Sequence, residues 1–351
     1  MSSGKNTRAP LGVCILGCGM MGNIHAAHWQ ALPEAHIVAV VDILGDRAQA
    51  MAQQYGLDTW YSDYRQAVAL PEVEVVSVCV PTHLHAEMSI QAMQHGKHVL
   101  CEKPMALHVD QAEAMLRAAS THNVKLGIGF MRRHSPLLEQ LRQQVQASRL
   151  GQPALYYAAD IRQVRPKIAM HDANQNGGPA LDMAVHVLDV WAYVFDSPPA
   201  AVFAQGTALA RQRPELAAIQ EIAPDTATLV VRYASGDTGT FVVSWGLPPG
   251  VNPPEQPDQV YTAGGLIEAT WKARQQSLRQ MVEGGEWQEL ALYEEDMYQR
   301  EIAGMARWIL ERPEGSPGQG FPATGETGLA ALRVARAALE SIETGKAVAL
   351  A

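Results

Sequence analysis

Residues 13–29 read VCILGCGMMGNIHAAHW, an apolar run followed by glycines at Gly17, Gly19 and Gly22 in the spacing G-x-G-x-x-G. In a strand-turn-helix unit, the first glycine permits a tight turn and the second lets a pyrophosphate approach the backbone. The third lets the helix pack closely on the strand. The alternative is that these glycines serve only a turn. The strand before them and the helix after them favour a dinucleotide-binding loop.

The end of the next apolar run supports this interpretation. HIVAVV at 36–41 is followed by Asp42, twenty residues after Gly22, where a carboxylate can accept hydrogen bonds from ribose hydroxyls. That carboxylate would repel a 2′-phosphate, which favours NAD over NADP. Arg47, about one helical turn further on, is placed to bind a 2′-phosphate, so NADP remains possible.

The order of apolar runs predicts the fold class. From Leu11 to Gly129, short apolar runs alternate with segments of helical periodicity, which is typical of a Rossmann doubly wound parallel sheet. After Phe130 the runs lengthen and alternate between apolar and polar residues, which predicts a C-terminal α+β domain with a large, mainly antiparallel open sheet. We therefore predict an NAD(P)-binding domain at 1–130 and a substrate-binding and oligomerisation domain at 131–351.

Composition restricts the class of partner. The chain has 351 residues, 47% hydrophobic residues and a formal net charge of −9, which argues against nucleic acid and anionic membranes as partners. We expect a cytoplasmic protein with a small-molecule ligand, because no apolar stretch is long enough to span a membrane and the start lacks the core of a signal peptide. The four cysteines lack metal or redox spacing and are predicted to be free thiols.

Two further apolar runs place polar residues at the same edge of the sheet. Thr82 and His85 follow the run at 73–80, and Glu102 and Lys103 follow HVLC. Ligands of parallel sheets bind beyond the carboxyl ends of strands, so these residues are expected near the cofactor, although His85 fits a purely structural role equally well. The predicted cofactor-binding residues are Gly17, Gly19, Met20, Met21, Gly22, Asp42, Thr82, His85, Glu102, Lys103 and Arg132.

The lysine before Pro104 has a plausible chemical role. Proline cannot continue a strand and restricts the residue before it, so Lys103 is expected in a fixed turn. A fixed ammonium can polarise a substrate oxygen and stabilise a developing alkoxide. A surface Lys-Pro turn is the alternative.

A second group of polar residues lies in GGPALDMAVHVLDVW at 177–191. Asp182, His186 and Asp189 have the spacing i, i+4, i+7, which predicts that they share one face of a helix. A carboxylate one turn from an imidazole can orient the ring, and histidine titrates near neutral pH, which suits proton transfer. Metal binding is the competing hypothesis. The three residues have no further histidine or acidic residue at the spacing of a metal site, so no metal is predicted.

Four segments together resemble the glucose-fructose oxidoreductase, inositol dehydrogenase and MocA family. The similarity extends from about Leu11 to Trp191 and continues more weakly to the end; its motifs are GCGMMGNIHA, CEKP, GFMRR and GGPALDMAVHVLDV. The resemblance implies an NAD(P)-dependent oxidoreductase that acts on a secondary alcohol of a sugar, inositol or related polyol. It also implies catalytic roles for Lys103, Asp182 and His186. By this likeness His186 takes the hydroxyl proton, Lys103 hydrogen-bonds the same oxygen, and Asp182 positions substrate or imidazole, whereas we interpret Asp189 as structural.

Several basic residues lie near the predicted site, and they suit an acidic or heavily hydroxylated substrate unless they are simply solvated. They are Arg132, Arg133, Arg162, Arg165 and Lys167. The substrate-binding set is predicted as Lys103, Arg162, Asp182 and His186. The segment before the catalytic helix, 161–178, matches no single family member, which leaves the substrate open.

The resemblance also implies a homodimer or homotetramer formed through the C-terminal sheet. Two other functions remain as alternatives. One is a glycosidase that keeps NAD tightly bound, and the other is a non-enzymatic NAD-binding regulator of the same fold. The presence of Lys103, Asp182 and His186 together favours a dehydrogenase over a regulator.

Overall fold

A computed structural model describes residues 9–146, 151–272, 275–292, 295–311, 321 and 323–350. The N-terminal part contains five parallel strands in the order β2-β1-β3-β4-β5. The strands are β1 (Leu11–Leu16), β2 (Ala35–Val41), β3 (Val75–Val78), β4 (His98–Glu102) and β5 (Leu126–Gly129). The helices between them are α1 (Met20–Gln30), α2 (Gly45–Gln54), α3 (Tyr64–Val68), α4 (Thr82–Gln94) and α5 (Val109–Thr121). Strands β1 and β3 are buried along their whole length, as expected of a parallel sheet covered on both faces.

The remaining elements form a second sheet and the helices that cover it. They are α6 (Pro136–Gln146), β6 (Leu155–Gln163), α7 (Pro179–Asp182), α8 (Ala184–Phe195), β7 (Pro199–Thr207), β8 (Thr226–Tyr233), β9 (Thr238–Leu247), β10 (Asp258–Thr262), β11 (Gly265–Lys272), β12 (Gln275–Val282), β13 (Gln288–Leu290), α9 (Met297–Leu310), α10 (Gly325–Thr344) and β14 (Val348–Ala349). The nine strands lie in the order β13-β12-β11-β10-β6-β9-β8-β7-β14. All neighbouring pairs are antiparallel except β6 and β9, so both halves of the predicted fold class are confirmed.

The helix predicted to carry Asp182, His186 and Asp189 is interrupted. Its first turn, α7, ends at Asp182, and α8 begins at Ala184 after a break at Met183. The prediction of one continuous helix was therefore wrong. The sequence spacing did not show the break, because Met183 and its neighbours all have ordinary helical propensity.

The C-terminal helices return to the first sheet. Helix α9 packs on α1, and α10 packs on α5 and β5. Ile128 N–H donates to the Ala323 carbonyl at 2.8 Å, and a Cβ added at Gly328 would lie 2.8 Å from the Ile128 side chain. Helix α10 ends at Gly345, which has the left-handed conformation that favours glycine at this position. The Pro- and Gly-rich sequence at 311–325 predicts a loop, and it falls largely outside the described residues.

One face of the second sheet carries exposed apolar side chains. Phe203 and Val230 are cross-strand neighbours on β7 and β8, and Tyr261 faces Leu155 across β10 and β6. All four are exposed.

The cysteines are free thiols, as predicted. Burial is the largest cause of the raised pKa of about 12 at Cys18, where the nearby Asp42 carboxylate adds to the effect. Within the described residues, no helix combines the length and apolar character that a membrane crossing requires.

Helix α9 places an unpartnered carboxyl group in the interior. Glu301 is fully buried, and neither carboxyl oxygen has a hydrogen-bond partner among the described residues. Burial, reinforced by the nearby Glu102 carboxylate, holds the pKa of Glu301 well above its ordinary value of 4.5. The folded protein therefore keeps this proton at a pH where the unfolded chain releases it.

Glu301→Gln is expected to stabilise the protein, and increasingly so as pH rises above about 4.5. The wild type loses up to about 1.4 kcal/mol of unfolding free energy per pH unit in this range because of Glu301, whereas the amide does not titrate. Urea unfolding at several pH values between 4 and 8 measures the difference. The exposed Glu343→Gln is the matched control, and a Glu301→Gln difference that stays constant with pH contradicts the prediction.

Candidate active site

A cavity of about 810 Å³ lies beyond the carboxyl ends of the parallel strands, between the two sheets. It is lined by most of the predicted site residues, namely Gly19, Met20, Met21, Thr82, His85, Glu102, Lys103, Arg132, Arg162, Asp182 and His186. Gly17, Gly22 and Asp42 do not line it, and they shape its nucleotide end instead. The residues from the two halves of the chain thus meet in one cavity.

Glycine occupies each of the three positions of the loop for a different geometric reason. Gly17 has a φ of +92°, which L side chains rarely adopt. A Cβ at Gly22 would lie 1.8 Å from the Gly17 carbonyl oxygen, so only glycine permits this contact between helix and turn. Gly19 meets nothing within 4 Å, and α1 starts beside it without a side-chain cap. This open helix N-terminus fits a pyrophosphate.

Asp42 has a structural task in addition to the predicted one. Its Oδ2 accepts from Cys18 N–H at 2.9 Å, and its Oδ1 accepts from Leu44 N–H at 2.9 Å. The carboxylate therefore fixes the glycine loop relative to the end of β2. Arg47 lines the cavity nearby and has no ion pair with any described residue.

Lys103 and Asp182 form the central ion pair of the site. Lys103 Nζ lies 3.1 Å from Asp182 Oδ2 and 3.3 Å from the Asp182 carbonyl oxygen. The two side chains are 16% and 7% exposed. The turn after β4 is thereby held against the end of α7, and the ammonium is fixed at the cavity wall.

A buried network beneath this turn holds Glu102 in place. Glu102 Oε1 lies 3.0 Å from His25 Nε2, and Oε2 accepts from Lys103 N–H at 3.2 Å. Burial acts to raise the pKa of Glu102, but the bond to His25 and the charges of His25 and Lys103 outweigh it, so the pKa is lowered. Ser77 Oγ lies 3.2 Å from His25 Nδ1 and accepts from Trp29 Nε1 at 2.8 Å.

His25, Ser77 and Trp29 were not predicted as site residues from the sequence. His25 and Trp29 stand four residues apart in the helix that follows the glycine loop, and this spacing places them on one face. That spacing was a usable signal, but their partners lie far along the chain. His25 and Glu102 are separated by 77 residues.

His85 and Thr82 hold the walls of the cavity together. The ring nitrogens of His85 lie 2.7 Å from the Pro104 carbonyl and 2.9 Å from the Val80 carbonyl, and burial lowers its pKa. This geometry ties the end of β3 to the Lys-Pro turn. Thr82 Oγ1 donates to Asn176 Oδ1 at 3.1 Å and so joins α4 to the segment before α7.

His186 is buried beside the ion pair and lines the same cavity as Lys103. Burial, followed by the positive charges of Lys103, Arg132 and Arg162, lowers its pKa well below 6.5. The expectation that it titrates near neutrality is therefore corrected, and the ring is neutral at neutral pH. Its Nδ1 is enclosed and has no partner among the described residues, whereas Nε2 remains accessible.

The predicted basic residues divide into two groups. Arg133 does not line the cavity; its guanidinium pairs with the buried Asp189 at 2.8 Å, which agrees with a structural role for Asp189. Arg132, Arg162, Arg165 and Lys167 all line the cavity. Trp245 and Tyr298 line it as well. Neither was predicted from the sequence, because an isolated aromatic residue in a strand or helix carries no local signal of a site.

Comparison with known proteins gives matches over most of the chain. A family model described as an oxidoreductase family with an NAD-binding Rossmann fold matches residues 11–130, and a GFO/IDH/MocA C-terminal domain matches residues 138–267. An uncharacterized oxidoreductase, YrbE, from Bacillus subtilis (strain 168) is 29% identical over 96% of this chain and 95% of its own length.

Two further relatives have described activities. A D-glucoside 3-dehydrogenase from Escherichia coli (strain K12) is 33% identical over 55% of this chain and 56% of its own length. The structure of a levoglucosan dehydrogenase in complex with NADH and L-sorbose superposes with a TM-score of 0.84 at 21% identity. That alignment covers 98% of this chain and all of that one, and it shows a shared fold.

Two alanine substitutions separate the roles of the glycines. Gly19→Ala is expected to leave the unfolding temperature nearly unchanged but to weaken NAD binding about tenfold or more, because the new methyl group fills the open approach to the helix N-terminus. Gly22→Ala is expected to lower the unfolding temperature, because its Cβ meets backbone. Thermal unfolding and NAD titration test both variants, and similar behaviour of the two would refute the assignment.

Proposed function

Because the chain belongs to the GFO/IDH/MocA oxidoreductase family, we propose that it oxidises a secondary alcohol of a sugar, inositol or related polyol with NAD. The observation that supports this most is the meeting of Lys103, Asp182 and His186 in a cavity whose other end fits a dinucleotide. The names of the relatives agree with the substrate class, since they include a D-glucoside 3-dehydrogenase and a myo-inositol 2-dehydrogenase.

Bound NAD supplies a hydride acceptor, and the chain supplies control of the proton and the charge. Lys103 is held by Asp182 and donates a hydrogen bond to the substrate oxygen. This contact strengthens as negative charge develops on that oxygen, so it stabilises the transition state more than the ground state. Asp182 holds the ammonium in place.

His186 serves as the base. Its imidazole is neutral at neutral pH and accepts the hydroxyl proton at Nε2, the nitrogen that is accessible from the cavity. Proton removal leaves the electron pair on the oxygen, and the carbonyl forms as the hydride departs. The positive charges around the ring favour the alkoxide over the alcohol. A weaker base is therefore sufficient to remove the hydroxyl proton.

Lys103→Met is expected to lower kcat by about two to three orders of magnitude, because a donor to the developing alkoxide is lost. NAD affinity is expected to change little. The measurement is the initial rate of absorbance increase from NADH with a screened polyol or inositol, together with an NAD titration. Lys346→Met, an exposed lysine after α10, is the control, and unaltered turnover in Lys103→Met would remove this residue from the mechanism.

Cofactor preference depends on Asp42, directly after β2, and on Arg47 in the first turn of α2. The carboxylate of Asp42 disfavours a 2′-phosphate, while Arg47 lies at the cavity without an ion-pair partner in the described part of the chain. We propose that Asp42 dominates and that NAD is preferred.

Asp42→Asn is expected to raise the ratio of kcat/KM with NADP to that with NAD by about tenfold or more, because the repulsive charge is removed. Adding Arg47→Gln to this variant is expected to reverse most of the gain, since the cation that binds the 2′-phosphate is then missing. The exposed Asp46→Asn is the charge-matched control. An equal effect in Asp46→Asn would show that general electrostatics, not Asp42, set the preference.

The exposed apolar side chains on one face of the second sheet support assembly of two or more copies of the chain. Phe203, Val230, Tyr261 and Leu155 lie on one face, and contact with a second copy would remove them from water. We propose that the chain forms a homodimer or homotetramer through this face.

A further inference from the structure

The cavity has a charge opposite to that of the chain. The sequence has a formal net charge of −9, yet the cavity is lined by Arg47, Lys103, Arg132, Arg162, Arg165 and Lys167. Its two lining carboxylates are already used, since Glu102 binds His25 and Asp182 binds Lys103. The cavity therefore concentrates positive charge, and clefts of this kind attract anions.

These cations are not equally available to a ligand. Arg162 pairs with Asp160, with Nη2 at 2.6 Å from Oδ2, and Arg132 lies over the Trp271 ring at 4.8 Å. Arg165 and Lys167 have no carboxylate partner among the described residues. Both belong to the segment between β6 and α7, and both line the cavity.

Arg165 is the more informative of the two. Its guanidinium lies 5.6 Å from the centre of the Trp245 ring, and its Nε is enclosed without an acceptor in the described structure. A half-buried cation without an anion has lost hydration, and the contact with the Trp245 ring offsets only part of that loss. An anionic ligand group would provide that partner.

Two neutral donors among the lining residues also lack acceptors. Trp245 Nε1 and Asn176 Nδ2 are buried, and neither finds an acceptor among the described residues. Both groups can only donate hydrogen bonds. Like His186 Nδ1, both atoms are enclosed, so the groups left to bind an anion are the guanidinium end of Arg165 and the exposed Lys167.

We propose that the substrate is an anionic sugar or polyol whose carboxylate or phosphate group is bound by Arg165 and Lys167, while its reacting carbon lies at Lys103 and His186. This inference rests on the proposed function and adds a substrate class to it. It also gives a role to the segment 161–178, whose sequence matched no single family member.

The test uses matched pairs of compounds that differ in one anionic group. The pairs are D-glucuronate with D-glucose, D-gluconate with D-sorbitol, and D-glucose 6-phosphate with D-glucose; the first two probe a carboxylate and the third a phosphate. For each compound, kcat/KM is measured from NADH formation, and thermal stabilisation is measured with the NADH-loaded enzyme. The anionic member of at least one pair is expected to be preferred by about tenfold or more.

Two variants locate the anion site. Arg165→Gln is expected to raise KM for the preferred anionic compound about tenfold and to reduce the ratio between the members of its pair. Lys167→Gln alters an exposed side chain, so it is expected to fold normally and to shift the ratio in the same direction. Arg117→Gln, an exposed arginine on α5 outside the cavity, is the charge-matched control.

The outcomes distinguish this inference from the function on which it rests. Oxidation of the neutral member as fast as the anionic member in every pair overturns the inference and leaves the dehydrogenase proposal intact. Thermal stabilisation by anions that depends on Arg165, without NADH formation, supports the anion site and counts against the reaction. The inference is overturned if no anionic compound gives either thermal stabilisation or turnover. It is also overturned if Arg165→Gln leaves the ratio between the members of a pair unchanged.

Discussion

The ion pair between Lys103 and Asp182 is the contact on which the candidate site depends. It joins the turn after a strand of the first sheet to the end of a helix that packs on the second sheet, 79 residues later in the chain. Both groups are nearly buried, so the loss of either partner would leave an uncompensated charge at the cavity wall. A single contact thus fixes the ammonium and, through the adjacent α8, the imidazole of His186.

The contact requires a rigid turn, and three interactions provide it. The Glu102 carboxylate binds both His25 and the Lys103 amide, and the His85 ring binds the Pro104 carbonyl. These bonds act on the residues immediately before, at and after Lys103. A flexible lysine would lose side-chain entropy each time it bound a substrate. A lysine held in this turn has already lost that entropy during folding.

Local chemistry explains which parts of the site were predictable from sequence. The glycine loop, Asp42 and the Lys-Pro turn depend on short spacings, and the predicted residues lie at or beside the cavity. The break at Met183, the bond between His25 and Glu102, and the return of α9 and α10 to the first sheet depend on tertiary packing. Trp245 on β9 and Tyr298 on α9 reach the cavity only through tertiary packing. Their roles could not follow from periodicity, since an aromatic residue in a strand or helix is ordinarily part of a core.

The charges around His186 connect binding to proton transfer. Burial and three nearby cations disfavour the imidazolium, so the free enzyme holds a neutral ring that is a weak base. The same cations lower the energy of an alkoxide. They therefore make the substrate hydroxyl more acidic while they make the imidazole less basic. An anion bound at Arg165 and Lys167, in the same cavity, would offset part of this positive field and raise the basicity of His186 only when substrate is present. Binding of the substrate's charged group would then increase the basicity of His186 through electrostatics, without movement of the chain.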